Sequence, residues 1–191
     1  MAVFSQPAKA GSGVFVKGLD AFVTYDAGNE ATTLSFTTQG KQFKAISLWF
    51  DNSVAIAIED ASGARTIVYR EGAPTGVQGL PKIGFNGSTE SRSNSYLIGV
   101  HDFTNNGNAE LTIAVNDGRD GIAVFVLTFD GYSWKPIGKM ITRGKGLGGC
   151  RVFRQALTMK DAAGTLYTWT CHGNTFDFLS SDKVNDPTVL Y

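Results

Sequence analysis

Residues 96–140 read YLIGVHDFTNNGNAELTIAVNDGRDGIAVFVLTFDGYSWKPIGKM, and their punctuation decides the fold class. Short apolar runs rich in Ile, Val and Phe are separated by clusters of Asp, Asn and Gly, the composition of strands joined by tight turns. The pattern predicts strands over 96–101, 110–115, 121–129 and 132–140. Asn116-Asp117-Gly118 and Asp130-Gly131 fall between them as hairpin turns, because Asp-Gly supplies the positive φ angles that tight hairpins need. No stretch of about twelve residues keeps a 3.6 period. The chain is therefore expected to be all-β.

Four antiparallel strands in about 45 residues have the size of one propeller blade. Fainter copies of the unit flank it. Segments 43–50, 54–58 and 65–70 repeat the rhythm with turns at Asp51-Asn52-Ser53 and Ala61-Ser62-Gly63. Segments 152–159, 165–171 and 175–179 repeat it again, with turns at 161–164 and 172–174. An N-terminal hairpin of 22–25 with 32–36 is a fourth, partial unit or a strand pair that closes a ring. The expected architecture is one domain over residues 1–191, a small or incomplete propeller-like array of antiparallel units, with a β-sandwich or irregular barrel as the alternative. Segments 71–81 and 86–94, rich in Gly, Pro, Ser and Thr, read as one long surface excursion around 82–85.

Composition removes several function classes. Seventeen basic and seventeen acidic side chains give zero formal net charge, so no global field draws the chain to nucleic acid or anionic lipid. The longest apolar runs, 54–58 and 122–127, fall far short of the roughly 20 residues of a membrane-spanning helix. Membrane insertion is not expected. The first residues show neither a basic n-region nor an apolar h-region. Two readings follow: a cytoplasmic protein, or a numbering that starts at a mature extracellular or periplasmic domain. Cys150 and Cys171 suit either two separate buried thiols or one bridge across neighbouring strands.

The chemistry concentrates between the first two strands of the central unit. Oxygen-bearing side chains recur at Asp102, Thr104, Asn106 and Asn108, Gly107 holds the sixth place, and Glu110 closes the loop at the ninth. A hard cation takes six to eight oxygens near 2.4 Å, and this alternation turns side-chain oxygens onto one centre while the glycine makes the bend. The candidate site is one calcium held by Asp102, Asn106 and Glu110, helped by Thr104 and a carbonyl near Asn108. The same residues also make an Asx-rich turn that binds nothing. In this segment the chain resembles the FG-GAP or VCBS repeat, whose Asp-x-Asp/Asn-x-Asp-Gly-x-x-Asp loop joins two blade strands. Asp102, Asn106, Gly107 and Glu110 fall on that pattern, while Thr104 stands where Asp or Asn is usual and Asn106 where Asp is usual. The resemblance implies a propeller-type fold and a weak calcium site, and it implies no reaction.

Residues 135–160 hold seven basic side chains and no acid, whereas 102–130 hold five acids and one base. Arg143, Lys145 and Arg151 are therefore candidates for steering an acidic partner, and Trp134, next to Pro136, is the candidate exposed anchor. Arg143 to Gly149 is glycine-rich, yet it lacks the Gly-Lys-Ser/Thr ending of a phosphate loop. Catalytic motifs are missing: His101 and His172 stand apart in sequence, and His101 is expected to flank the loop without ligating. Trp49, Tyr132, Trp134, Tyr167 and Trp169 are candidate sugar platforms or interface anchors. The reading is a non-catalytic, calcium-stabilised binding module for a glycan or a protein, working through edge loops. Alternatives are an inhibitor or immunity protein that plugs a cell-wall hydrolase with 71–94, or a structural subunit of a surface assembly.

Overall fold

The computed structural model describes residues 15–26, 33–50, 53–70, 95–116, 121–144 and 146–183. The long excursion at 71–94 and Lys145 lie outside them, as do the turn residues 51–52 and 117–120. Among the described residues fourteen strands are formed and there is no helix.

Three consecutive antiparallel meanders organise the chain. The first is β3 (Thr33–Thr38), β4 (Lys41–Phe50), β5 (Ser53–Asp60) and β6 (Arg65–Arg70). The second is β7 (Ser95–His101), β8 (Glu110–Asn116), β9 (Ile122–Phe129) and β10 (Trp134–Ile141). The third is β11 (Leu147–Phe153), β12 (Ala156–Asp161), β13 (Thr165–His172) and β14 (Thr175–Lys183). Two N-terminal strands complete the sheets. β1 (Phe15–Lys17) runs parallel to β11, and β2 (Ala21–Asp26) runs antiparallel to β7.

The three sheets stack in a sandwich-like order with the second meander in the middle. One apolar core joins the first and second sheets through Phe36, Phe43, Ile56, Ile98, Phe125 and Phe129. The other joins the second and third through Leu97, Val124, Val126, Leu157, Met159 and Trp169. This layering explains the sequence of β9, IAVFVLTF, which is apolar on both faces because both faces are covered. In β3, by contrast, buried and exposed residues alternate strictly, because one face alone is covered. Gly138 lets β10 approach the third sheet, since a Cβ there would sit 2.9 Å from the Phe176 ring. Pro136 is tolerated in β10 because that strand is a sheet edge and its register shifts between Pro136 and Gly138.

All-β character and stacked antiparallel units agree with the sequence reading, and no sheet closes into a barrel among the described residues. Two details differ. The expected N-terminal hairpin does not form, because β2 pairs with β7 and β3 pairs with β4. Segment 152–159 is not one strand: the chain turns at Arg154, which takes a left-handed φ of 54° without being Gly, Asn or Asp.

Cys150 and Cys171 are free and buried. They sit on β11 and β13 with β12 between them. Two strand spacings amount to about 9.6 Å, beyond the roughly 7 Å between Cα atoms that a disulfide spans. Burial pushes the Cys150 thiol up to about 12 and the Cys171 thiol up to about 11. Neither thiol is then expected to react with a disulfide reagent in native protein at neutral pH, and both should react after unfolding. Rapid release of chromophore from the native protein would contradict this placement.

Candidate metal loop and the cleft beside it

The candidate loop joins β7 to β8 and is closed by its own hydrogen bonds. Asp102 accepts the Asn106 N–H on Oδ1 at 3.0 Å and the Gly107 N–H on Oδ2 at 2.7 Å. Asn106 Oδ1 accepts the Asn108 N–H at 2.8 Å. Two left-handed residues wrap the chain around Asp102, Asn105 at φ 55° and Gly107 at φ 82°. Asn tolerates that conformation and Gly adopts it freely, so the Asn and Gly of the motif are used for backbone shape as well as for oxygens.

Glu110 is fully buried at 0% exposure and reaches back to the start of the loop. Its Oε2 accepts N–H groups of Phe103 at 2.8 Å and Thr104 at 3.3 Å, and its Oε1 accepts the Thr104 hydroxyl at 3.0 Å. Burial raises its pKa above the usual 4.5, the loop hydrogen bonds oppose that rise, and the charge of Asp102 adds to it. Asp102 and Glu110 thus stand close enough to repel. Among the described residues no group of three His, Cys, Asp or Glu side chains forms a ready metal cluster. Any cation here would rely on the two carboxylates together with neutral oxygens of Thr104, Asn106 and the backbone. That donor set fits a weakly held hard ion.

Asn108 reaches out of the loop to a neighbouring sheet. Its Oδ1 accepts the N–H of Gln39 at 3.2 Å, so it ties the loop to the β3–β4 turn of the first sheet. Gln39 itself sits at φ 48°, and its side-chain amide donates to the Phe129 carbonyl. Lys41 Nζ donates to the Gly131 carbonyl at 3.0 Å, next door. Loop, hairpin tip and β9–β10 turn are therefore clasped across two sheets.

Beside the loop lies a cleft of about 1320 Å³ between the facing edges of β2 and β3. Its apolar floor includes Val23, Leu34, Phe36 and Phe43, and Asp102, Gly107 and Ala109 form one end wall. Carboxylates of Asp20, Glu59 and Asp60 join Asp102 at the rim, against the amine of Lys44 alone among the described residues. Sequence reading missed this cleft. It exists because β2 joins β7 in the second sheet by long-range pairing while β3 stays in the first, and 61–63 signalled nothing but a turn.

The partner-binding candidates fall elsewhere. Trp134, expected to be exposed, is 9% exposed and packs in the core between the first two sheets. Trp134 opens β10 directly after the turn, and its alternation with Lys135 points it inward. Arg143 is exposed in the β10–β11 connection, Arg151 is half-buried in the third sheet opposite Thr158, and Lys145 lies outside the described residues. The third sheet packs on the far side of the second from the cleft. Neither Arg143 nor Arg151 lines the cleft with its acidic rim. Tyr167 and Trp169 are buried, the Trp49 side chain lies outside the described set, and Tyr132 stands free at 96% exposure. His101 places Nδ1 3.3 Å from Asp20 and Nε2 2.9 Å from the Arg154 carbonyl, linking β7 to the β1–β2 connection and the β11–β12 turn. No protein-family model and no curated protein matches this chain.

Proposed function

We propose that this chain is a non-catalytic binding module for a protein partner, with the cleft between β2 and β3 as its recognition surface and the FG-GAP-like loop as a calcium-responsive wall. The observation that carries the reading is that Asp102, Gly107 and Ala109 line the cleft while Asn108 clasps the opposite sheet. A cation in the loop would relieve the repulsion between Asp102 and Glu110 and fix the end wall before a partner arrives, lowering the ordering cost of binding. A protein is favoured over a glycan because three of the five candidate sugar platforms are buried.

Calcium added to chelator-treated protein is expected to raise the melting temperature, because an ion that binds only the folded chain stabilises it by mass action. Asp102→Ala should abolish the rise and Asp130→Ala should leave it. A wild-type melting temperature unmoved by millimolar calcium removes the ion from this reading.

A further inference from the structure

We propose that the outer edge of β3 is a docking strand: an extended, lysine- or arginine-bearing segment of a partner polypeptide pairs with Thr33–Thr38 and lies along the cleft. The inference rests on the binding-module reading and names its partner chemistry. In the second and third meanders the first strand carries an added strand on its outer edge, β2 on β7 and β1 on β11. The equivalent first strand of the first meander, β3, pairs with β4 alone among the described residues. Alternate residues of an antiparallel edge strand turn their N–H and C=O groups away from the sheet, which makes the edge a template for another strand. Strand addition of this kind takes affinity from the main chain and specificity from alternate side chains.

The surroundings select the occupant. Thr33, Ser35 and Thr37 are exposed along β3, while Leu34 and Phe36 lie in the floor, so an incoming strand meets an apolar side and a polar side. The rim is net acidic. Lys44 and Arg65 both turn to Glu59, at 3.4 and 2.7 Å, and Asp60 has no cation beside it among the described residues. Asp60 instead accepts the Ser62 N–H and hydroxyl and the Ala64 N–H, all on Oδ1. A basic segment supplies the missing positive charge. A glycan has no alternating amides to match the edge.

The test selects a display library of short random peptides on the full chain, with calcium and with chelator, and maps the winners by amide exchange. Enriched peptides should alternate basic with apolar or β-branched residues and slow exchange at 33–38. N-methylation of alternate peptide amides should weaken binding about tenfold or more, the scale of one lost hydrogen bond. Asp60→Asn keeps the Oδ1 that holds the turn and removes the charge, so it should weaken binding about threefold and flatten its salt dependence. The proposal is overturned if no peptide is enriched, if winners protect other strands, or if β3 becomes protected with rising protein concentration alone, which would assign the edge to a second copy. Protection of β3 that is indifferent to calcium keeps this proposal and removes the ion. A calcium response without enrichment keeps the ion and removes the docking strand.

Discussion

Replacing Trp134 by alanine is expected to cost about 3–5 kcal/mol of unfolding free energy, the range for truncating a large buried aromatic. The indole is the hub of an aromatic cluster that crosses from the second sheet to the first. Its ring centroid lies 5.3 Å from Phe129, 5.2 Å from Phe43 and 5.8 Å from Phe36, with edge-on geometry to the last two. Edge-to-face pairs of this kind add to plain area burial. Truncation would open a cavity under the cleft floor, because Phe36 and Phe43 belong to both. Denaturant titration should find a lower midpoint with little change in slope. Tyr132→Ala, two residues away in the exposed turn, should change stability by no more than about 0.5 kcal/mol. A loss below about 1 kcal/mol for Trp134→Ala would mean that the two sheets are not joined through this residue.

That contrast also marks what the sequence can reveal. Strand identity is legible wherever local chemistry is enough: β4 to β6 and β7 to β10 follow from their turns and apolar runs. Legibility fails where long-range pairing decides. Nothing near Phe22 says that its strand will join Ser95–His101 rather than fold back on 32–36, since a hairpin needs only proximity whereas β2–β7 pairing spans the whole first meander. Arg154 hides a turn because its left-handed φ carries none of the usual residue signals. The direction of a side chain at a strand's first residue depends on register, which is why Trp134, expected to be exposed, turns into the core. The loop was legible as a pattern of oxygens. Its partition was not: Glu110 inward, Asp102 on its own backbone and Asn108 across to Gln39 follow from burial and from a contact 69 positions away.

The inward Glu110 carries the second large effect. Glu110→Ala should lower stability by about 2–4 kcal/mol, because the N–H groups of Phe103 and Thr104 and the Thr104 hydroxyl lose their acceptor inside the protein. Glu110→Gln keeps an oxygen for the amides and removes the charge, so its cost should be much smaller. The pH dependence separates the two contributions. The folded-state pKa of Glu110 is raised above the unfolded value near 4.5, so within that interval the folded chain binds the extra proton and stability rises as pH falls. Below the unfolded value the gain is complete and level, and above the folded value the buried charge weighs in full. Glu59, Asp60 and Asp130 have lowered pKa values, so their stabilisation is lost as pH falls and works in the opposite direction. The difference between wild type and Glu110→Gln, measured in chelator across this range, cancels those groups and isolates Glu110. Wild type should gain on the variant as pH falls toward 4.5. If wild type instead loses ground on acidification, the Glu110 carboxylate is held ionised by a partner in the loop, and the clasp described by its hydrogen bonds is not what keeps it there.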